Sequence, residues 1–241
     1  MDRTYTLFAV GNAVIALSKA ERVAAYDDLI NSNLLAQLVA NKKIENKTVE
    51  NWYDAYMAVM DDFWMRSLKF RQDLRPEAGR TASPLEWAVA VMENNGAREE
   101  DQTVDGFLAY VARLPCSVLR VGSLPDIVQE PCEDDVTETP APLKAVRLLA
   151  ILAQGPSSIT SVYLDFQTRQ ALTPNPWSQR FKAEDVHGLV CVRYARANLS
   201  ETLYALSSDA IALKVRDRLT DNVSMLVESA DMSPGYGLLD D

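Results

Sequence analysis

The chain has 241 residues, 48% hydrophobic and 24% charged, which is enough to bury one substantial core or two small ones and too apolar for a wholly unfolded chain. Its formal net charge of −10 argues against a general nucleic-acid binder, because phosphate neutralisation needs a concentrated cationic surface. No run reaches the ~18 to 20 apolar residues of a spanning helix.

The charge is uneven. Residues 1–128 hold 18 acids and 14 bases, residues 129–142 five acids and no base, residues 143–230 eight acids and 10 bases, and residues 231–241 three acids and no base. Residues 129–142 also contain three prolines, and the hydrophobic rhythm changes across them from helical to strand-like. The expected organisation is a helix-rich lobe (1–128), an acidic joint (129–142), a strand-rich lobe (143–230) and an acidic tail (231–241), with a single domain as the simpler variant.

In chain order, residues 4–10 read as a first strand closed by Gly11 and Asn12. The same opening run resembles a short signal h-region, but one arginine offset by Asp2 is a poor n-region, so a soluble cytoplasmic protein is expected, or one exported without an ordinary signal peptide. Ser18 and Glu21 have capping-box spacing and predict a helix to about Ile30, interrupted by Asn31, Ser32 and Asn33 before a second short helix. From Thr48, the apolar positions Val49, Trp52, Tyr53, Tyr56, Met57, Met60, Phe63 and Trp64 repeat at three and four, which predicts the longest helix with one buried seam. Ser83-Pro84-Leu85-Glu86 joins a cap, a first-turn proline and a third-position glutamate, and predicts a helix over 84–94. Another helix is expected over 100–113, ended by Pro115.

Beyond the joint, residues 145–153, 159–167 and 189–195 read as strands, as do the alternating Ile211, Leu213 and Val215, followed by Val223, Met225 and Val227. Residues 210–219 also wind into a helix that aligns Ile211, Val215 and Leu219, but the alternation favours a strand. The predicted fold class is therefore α+β: an N-terminal helical layer packed on a mostly antiparallel C-terminal β-sheet. An α/β fold is the alternative if residues 4–10 join the sheet centrally.

Candidate chemistry is sparse. Cys116, Cys132 and Cys191 are an odd, widely spaced set without CxxC, which fits a reducing compartment better than a disulfide framework, although a Cys116 to Cys132 cystine stays open. His187 is the single histidine, so any Cys-His dyad must use it. An extended chain would hold it roughly 13 Å from Cys191 at ~3.3 Å per residue, beyond hydrogen-bond reach. On the strand alternation Cys191 shares a face with Arg193, whose charge would lower the thiol pKa and make Cys191 a candidate reactive or acylated thiol. Lys214, Arg216 and Arg218, placed on one side of a strand and enlarged by Arg193, make a candidate contact for an anionic surface. The donors lack paired metal-ligand spacing, and neither GxxxxGK[ST] nor GxGxxG occurs, so no metal or cofactor is expected.

These observations favour a noncatalytic acidic protein-binding factor of inhibitor, immunity or accessory type, with another protein as partner. The alternative is a membrane-interacting or virulence-associated protein acylated at Cys191. Nucleic acid is not an expected partner in either reading.

Overall fold

The computed structural model describes residues 4–94, 102–114 and 143–231. The acidic joint, the acidic tail, Cys116 and Cys132 lie outside the described residues.

The chain opens on a hairpin of β1 (Thr4–Val10) and β2 (Ala13–Ser18). Its two-residue turn places Gly11 at φ 56°, in the left-handed region that glycine enters without steric cost. Because β2 runs up to Ser18, the capping-box helix expected there does not form. A single 3-10 turn over Val23–Tyr26 leads instead into α1 (Asp27–Glu45), which passes without a break through Asn31, Ser32 and Asn33. Those polar residues read as a helix stop, yet Ser32 and Asn33 are buried and find tertiary partners. The Trp64 indole N–H donates to Ser32 Oγ at 3.1 Å, and Asn33 Nδ2 donates to the Tyr56 hydroxyl at 2.7 Å.

The seam predicted from Thr48 folds in two conformations. Asn51 caps α2 (Trp52–Met60) by accepting the Asp54 N–H at 3.0 Å, and the helix stops where β3 (Trp64–Leu74) begins. Trp52, Tyr56 and Met60 are buried as expected, and half-buried Phe63 sits edge-on to Tyr204. After the short β4 (Thr81–Ala82) come α3 (Pro84–Asn94) and α4 (Gln102–Arg113). The Ser83 cap is reciprocal: the Glu86 N–H donates to Ser83 Oγ at 3.2 Å and the Ser83 N–H donates to Glu86 Oε2 at 2.6 Å.

The remainder is β5 (Lys144–Gly155), β6 (Ser158–Thr168), β7 (Phe181–Lys182), β8 (Val186–Leu199), α5 (Glu201–Ala205), α6 (Ser208–Asn222) and β9 (Val223–Asp231). The strand expected at 211–216 is thus part of a helix. Ile211 and Val215 are buried one turn apart and Leu219 follows them, whereas Leu213, which completed the apparent alternation, is 62% exposed on the other side.

Seven strands form one sheet in the order β3-β8-β6-β5-β2-β1-β9, and β4 and β7 pair separately. The fold is α+β, but the sheet is mixed, because β2 and β5 run parallel while the other pairs are antiparallel. Strands from both sides of the joint build it, and β1 lies beside the edge strand β9 rather than centrally. Helices cover both faces instead of forming one layer. Trp87, Val91, Phe107 and Leu108 of α3 and α4 pack on one face with Leu148, Ala150 and Leu152 of β5. Leu34, Trp52, Tyr56 and Val215 of α1, α2 and α6 pack on the other with Leu149, Ile151 and Ala153. Burial on both sides explains the continuous apolar run of β5.

Candidate functional site

On the face covered by α1 and α2, strand register assembles a polar cluster from residues far apart in sequence. Arg147 of β5 lies opposite Asp165 of β6, Asp165 opposite Cys191 of β8, and Cys191 opposite Asp73 of β3. In the neighbouring row Tyr163 lies opposite Arg193, and Arg193 opposite Arg71. Cations, carboxylates and one thiol therefore alternate across four strands at cross-strand contact spacing.

The charges are largely tied to one another. Arg71 holds Asp73 through two hydrogen bonds of 2.9 and 2.8 Å. The Tyr163 hydroxyl donates to Asp165 Oδ2 at 3.2 Å, with Arg147 Nε 3.9 Å from the same oxygen. The Arg193 side chain is only 11% exposed; Nη1 donates to Asp54 Oδ1 of α2 at 2.6 Å, and the guanidinium lies 4.7 Å from the centroid of the Tyr53 ring.

Each carboxyl titrates according to its surroundings. The Arg71 hydrogen bonds hold Asp73 below the usual carboxylate range, whereas burial pushes Asp165 up, with Arg147 resisting. Burial also pushes the Cys191 thiol up, and its hydrogen bond to Asp73 adds to that, although Arg193 pulls the other way. Arg193 does act to lower the thiol pKa, but the net direction is upward, because desolvation, helped by the hydrogen bond to Asp73, outweighs Arg193 and Arg71. Burial therefore favours the thiol over the thiolate, and Cys191 takes part in the cluster through its hydrogen bonds.

Cys191 and Arg193 do share a face, as the alternation required. His187 is exposed, four residues away along the same strand and opposite Gln167, so β8 keeps it apart from Cys191. Lys214, Arg216 and Arg218 are all exposed, but on α6 they do not lie on one side. At about 100° per residue Lys214 and Arg218 fall near each other while Arg216 turns nearly half a circle away, where it meets Asp217 at 3.5 Å. Arg193 is spent on Asp54 and adds nothing to that surface. Asp73, Asp165, Arg147, Tyr163 and Arg71 had no local signal, since only the register of four strands joins them.

A second surface stands out for exposed apolar side chains. Leu206 at the end of α5 is 85% exposed, and Leu203 and Leu213 are also exposed. Exposed Glu201 and Asp209 flank them, and the exposed Asp27 and Asp28 open α1, which packs on α6. Burial, and then the charge of Asp28, raise the pKa of the buried Tyr204 hydroxyl, which places Asp28 beside α5. Asp209 thus stands at the start of α6, with Glu201 on the preceding α5 and Asp28 beside α5, and Lys214, Arg216 and Arg218 lie farther along α6.

Among the described residues no group of three or more His, Cys, Asp or Glu side chains is arranged to hold a metal ion, and no helix is long and apolar enough to cross a membrane. No protein-family model matches the chain, and no curated protein matches it. Among solved structures, the Evf virulence factor is similar at 14% identity over 85% of this chain and 76% of that chain, with a TM-score of 0.27. A likeness at that score carries no argument about fold or function.

Proposed function

We propose that this chain is a noncatalytic protein-binding factor of inhibitor, immunity or accessory type, which meets a cationic partner with its acidic surface. The observation that carries this reading is the set of exposed leucines on α5 and α6, Leu203, Leu206 and Leu213, with the exposed acids Glu201 and Asp209 on the same helices and Asp28 beside Tyr204 of α5. Exposed aliphatic side chains with acids on the same elements give a contact both an apolar part and a steering field.

The same helix supports a second reading. Leu213 adjoins Lys214, with Arg216 and Arg218 beyond, and exposed aliphatic and cationic residues together suit an anionic lipid surface. In that reading the chain is a membrane-interacting, virulence-associated protein, and Cys191 is the thiol for an acyl anchor.

Two probes separate them. A synthetic basic amphipathic peptide should bind the full chain, more slowly as salt rises, and the joint change of Asp27→Asn, Asp28→Asn and Glu201→Gln should weaken it, while phosphatidylserine-containing vesicles leave the protein behind. Flotation with those vesicles, abolished by the joint change of Lys214, Arg216 and Arg218 to glutamine, would overturn the protein-binding reading in favour of the membrane one.

A further inference from the structure

We infer that α5 is a strap which a bound partner lifts from the body of the protein, and that Tyr204, the buried residue of α5, is a partner-contact residue. This deepens the protein-binding reading of the α5–α6 surface and rests on it. The partner segment is the one that reading calls for, with aliphatic and cationic side chains.

α5 is tied at both ends and lightly held between them. At one end the Ser200 N–H donates to the Phe63 carbonyl at 2.8 Å, and at the other α6 is anchored by buried Ile211 and Val215. Among the described residues, the hydrogen bonds of residues 201–206 all close within residues 200–208, so none of them reaches the sheet or α1. Side chains add one anchor. Of residues 201–206 only Tyr204 is buried, with its ring edge-on to half-buried Phe63 at 5.5 Å between centroids. Tyr204 is a member of neither of the two cores that pack on the sheet.

The anchor carries a cost of its own. The Tyr204 hydroxyl is hidden from solvent and has no hydrogen-bond partner among the described residues. An unmet buried hydroxyl costs about as much as burial of the ring gains, so the docked and lifted positions of α5 lie close in free energy. Phenylalanine would fill the same space without that cost. Lifting α5 returns the hydroxyl to water or to a partner group and adds an aromatic ring to the exposed Leu203 and Leu206, and tyrosine is among the residues that dominate protein contacts. Asp28, whose charge acts on Tyr204, stands beside it. A lysine or arginine of the partner would then meet a carboxylate and a ring face together.

The test uses the full chain, hydrogen exchange and the synthetic basic amphipathic peptide, with Tyr204→Phe and Tyr204→Ala as variants. In the free protein Tyr204→Phe should slow exchange across residues 201–206 by about tenfold, because the ring stays and the unmet hydroxyl is removed. The same variant should bind the peptide about tenfold more weakly than the wild type, because its strap stays down. Tyr204→Ala frees the strap but removes the contact, so it should bind no better than Tyr204→Phe while residues 186–199 and 208–222 exchange as in the wild type. Faster exchange or a lower melting temperature in Tyr204→Phe would show that the hydroxyl has a partner in the docked position and would overturn the proposal. Wild-type affinity in Tyr204→Phe, or tighter binding by Tyr204→Ala, would overturn it too and leave the protein-binding reading standing. A wild-type protein that does not bind the peptide would end that reading and the role of the strap with it, whatever the exchange rates.

Discussion

Gln37 of α1 accepts the Asn12 backbone N–H at 2.8 Å, and its own amide donates to the Val10 carbonyl at 2.8 Å, so a buried glutamine closes the β1–β2 turn. Asn33 Oδ1 accepts from the same amide at 2.6 Å. The first hairpin is thereby fastened to the first helix by a network with no slack. A Cβ on Gly11 would stand 2.6 Å from Gln37 Oε1, and the residue's positive φ is unfavourable for any side chain. Gly11→Ala should therefore destabilise the protein by about 2 kcal/mol, half or more from the left-handed backbone alone. Adding Gln37→Ala should cost less in the Gly11→Ala background than in the wild type, because the clash has already broken the network; urea unfolding of the four proteins in this cycle measures the difference, and strict additivity would contradict it.

Trp52 is 2% exposed and stacks on Tyr56 and Tyr163 at 5.3 and 5.8 Å, and its indole N–H donates to Asn41 Oδ1 at 2.6 Å. Trp52→Ala should cost about 3 to 5 kcal/mol from lost transfer energy and the cavity left behind. Chemical denaturation reads this directly. Unchanged stability with loss of a bound partner would mean that the seam is a recognition surface.

The two carboxyls that flank Cys191 should respond oppositely to pH. Asp73 is held below its unfolded value by Arg71, so its contribution to stability is present above the unfolded pKa and fades as pH falls through the lower folded one. Asp165 is raised by burial, so the folded state binds the proton more tightly and this group costs stability as pH rises through its folded pKa. Asp165→Asn should therefore raise stability relative to wild type at neutral pH, and the gain should shrink as pH falls toward the ordinary carboxylate range. Denaturation series from acid to neutral pH, with Asp73→Asn for comparison, check the signs.

Cys191 should alkylate slowly at neutral pH in the folded protein, with a rate still climbing above the ordinary thiol range, because burial holds it as the thiol. Asp73→Asn should speed the reaction, and replacing Arg193 with methionine should slow it further. Peptide-level mass spectrometry after timed alkylation follows this cysteine separately. An intact-mass increment matching a fatty acyl chain on the purified protein would instead support the membrane reading.

Elements whose signals are local were legible from the residues alone. The Ser83 to Glu86 box works within one turn, and α3 forms where its spacing says. The alternation in β8 and the apolar run of β5 likewise mark strands, because these patterns lie in the residues themselves. The Trp52 to Met60 seam is buried for the same reason.

What tertiary structure decided depends on partners distant in the chain. Asn31, Ser32 and Asn33 read as a break in α1 until Trp64 and Tyr56 supply hydrogen bonds to Ser32 and Asn33, after which continuing the helix leaves neither of these buried side chains unmet. By rhythm the alternation of Ile211, Leu213 and Val215 favours a strand over the helix that aligns Ile211, Val215 and Leu219, and packing against α1 selected the helix by burying Ile211 and Val215 while leaving Leu213 in water. The cluster of Arg147, Asp165, Cys191 and Asp73 is the extreme case. Its members come from four strands, and a one-residue slip in any pairing would turn that strand's residue to the opposite face, so the cluster exists only through the register of the assembled sheet.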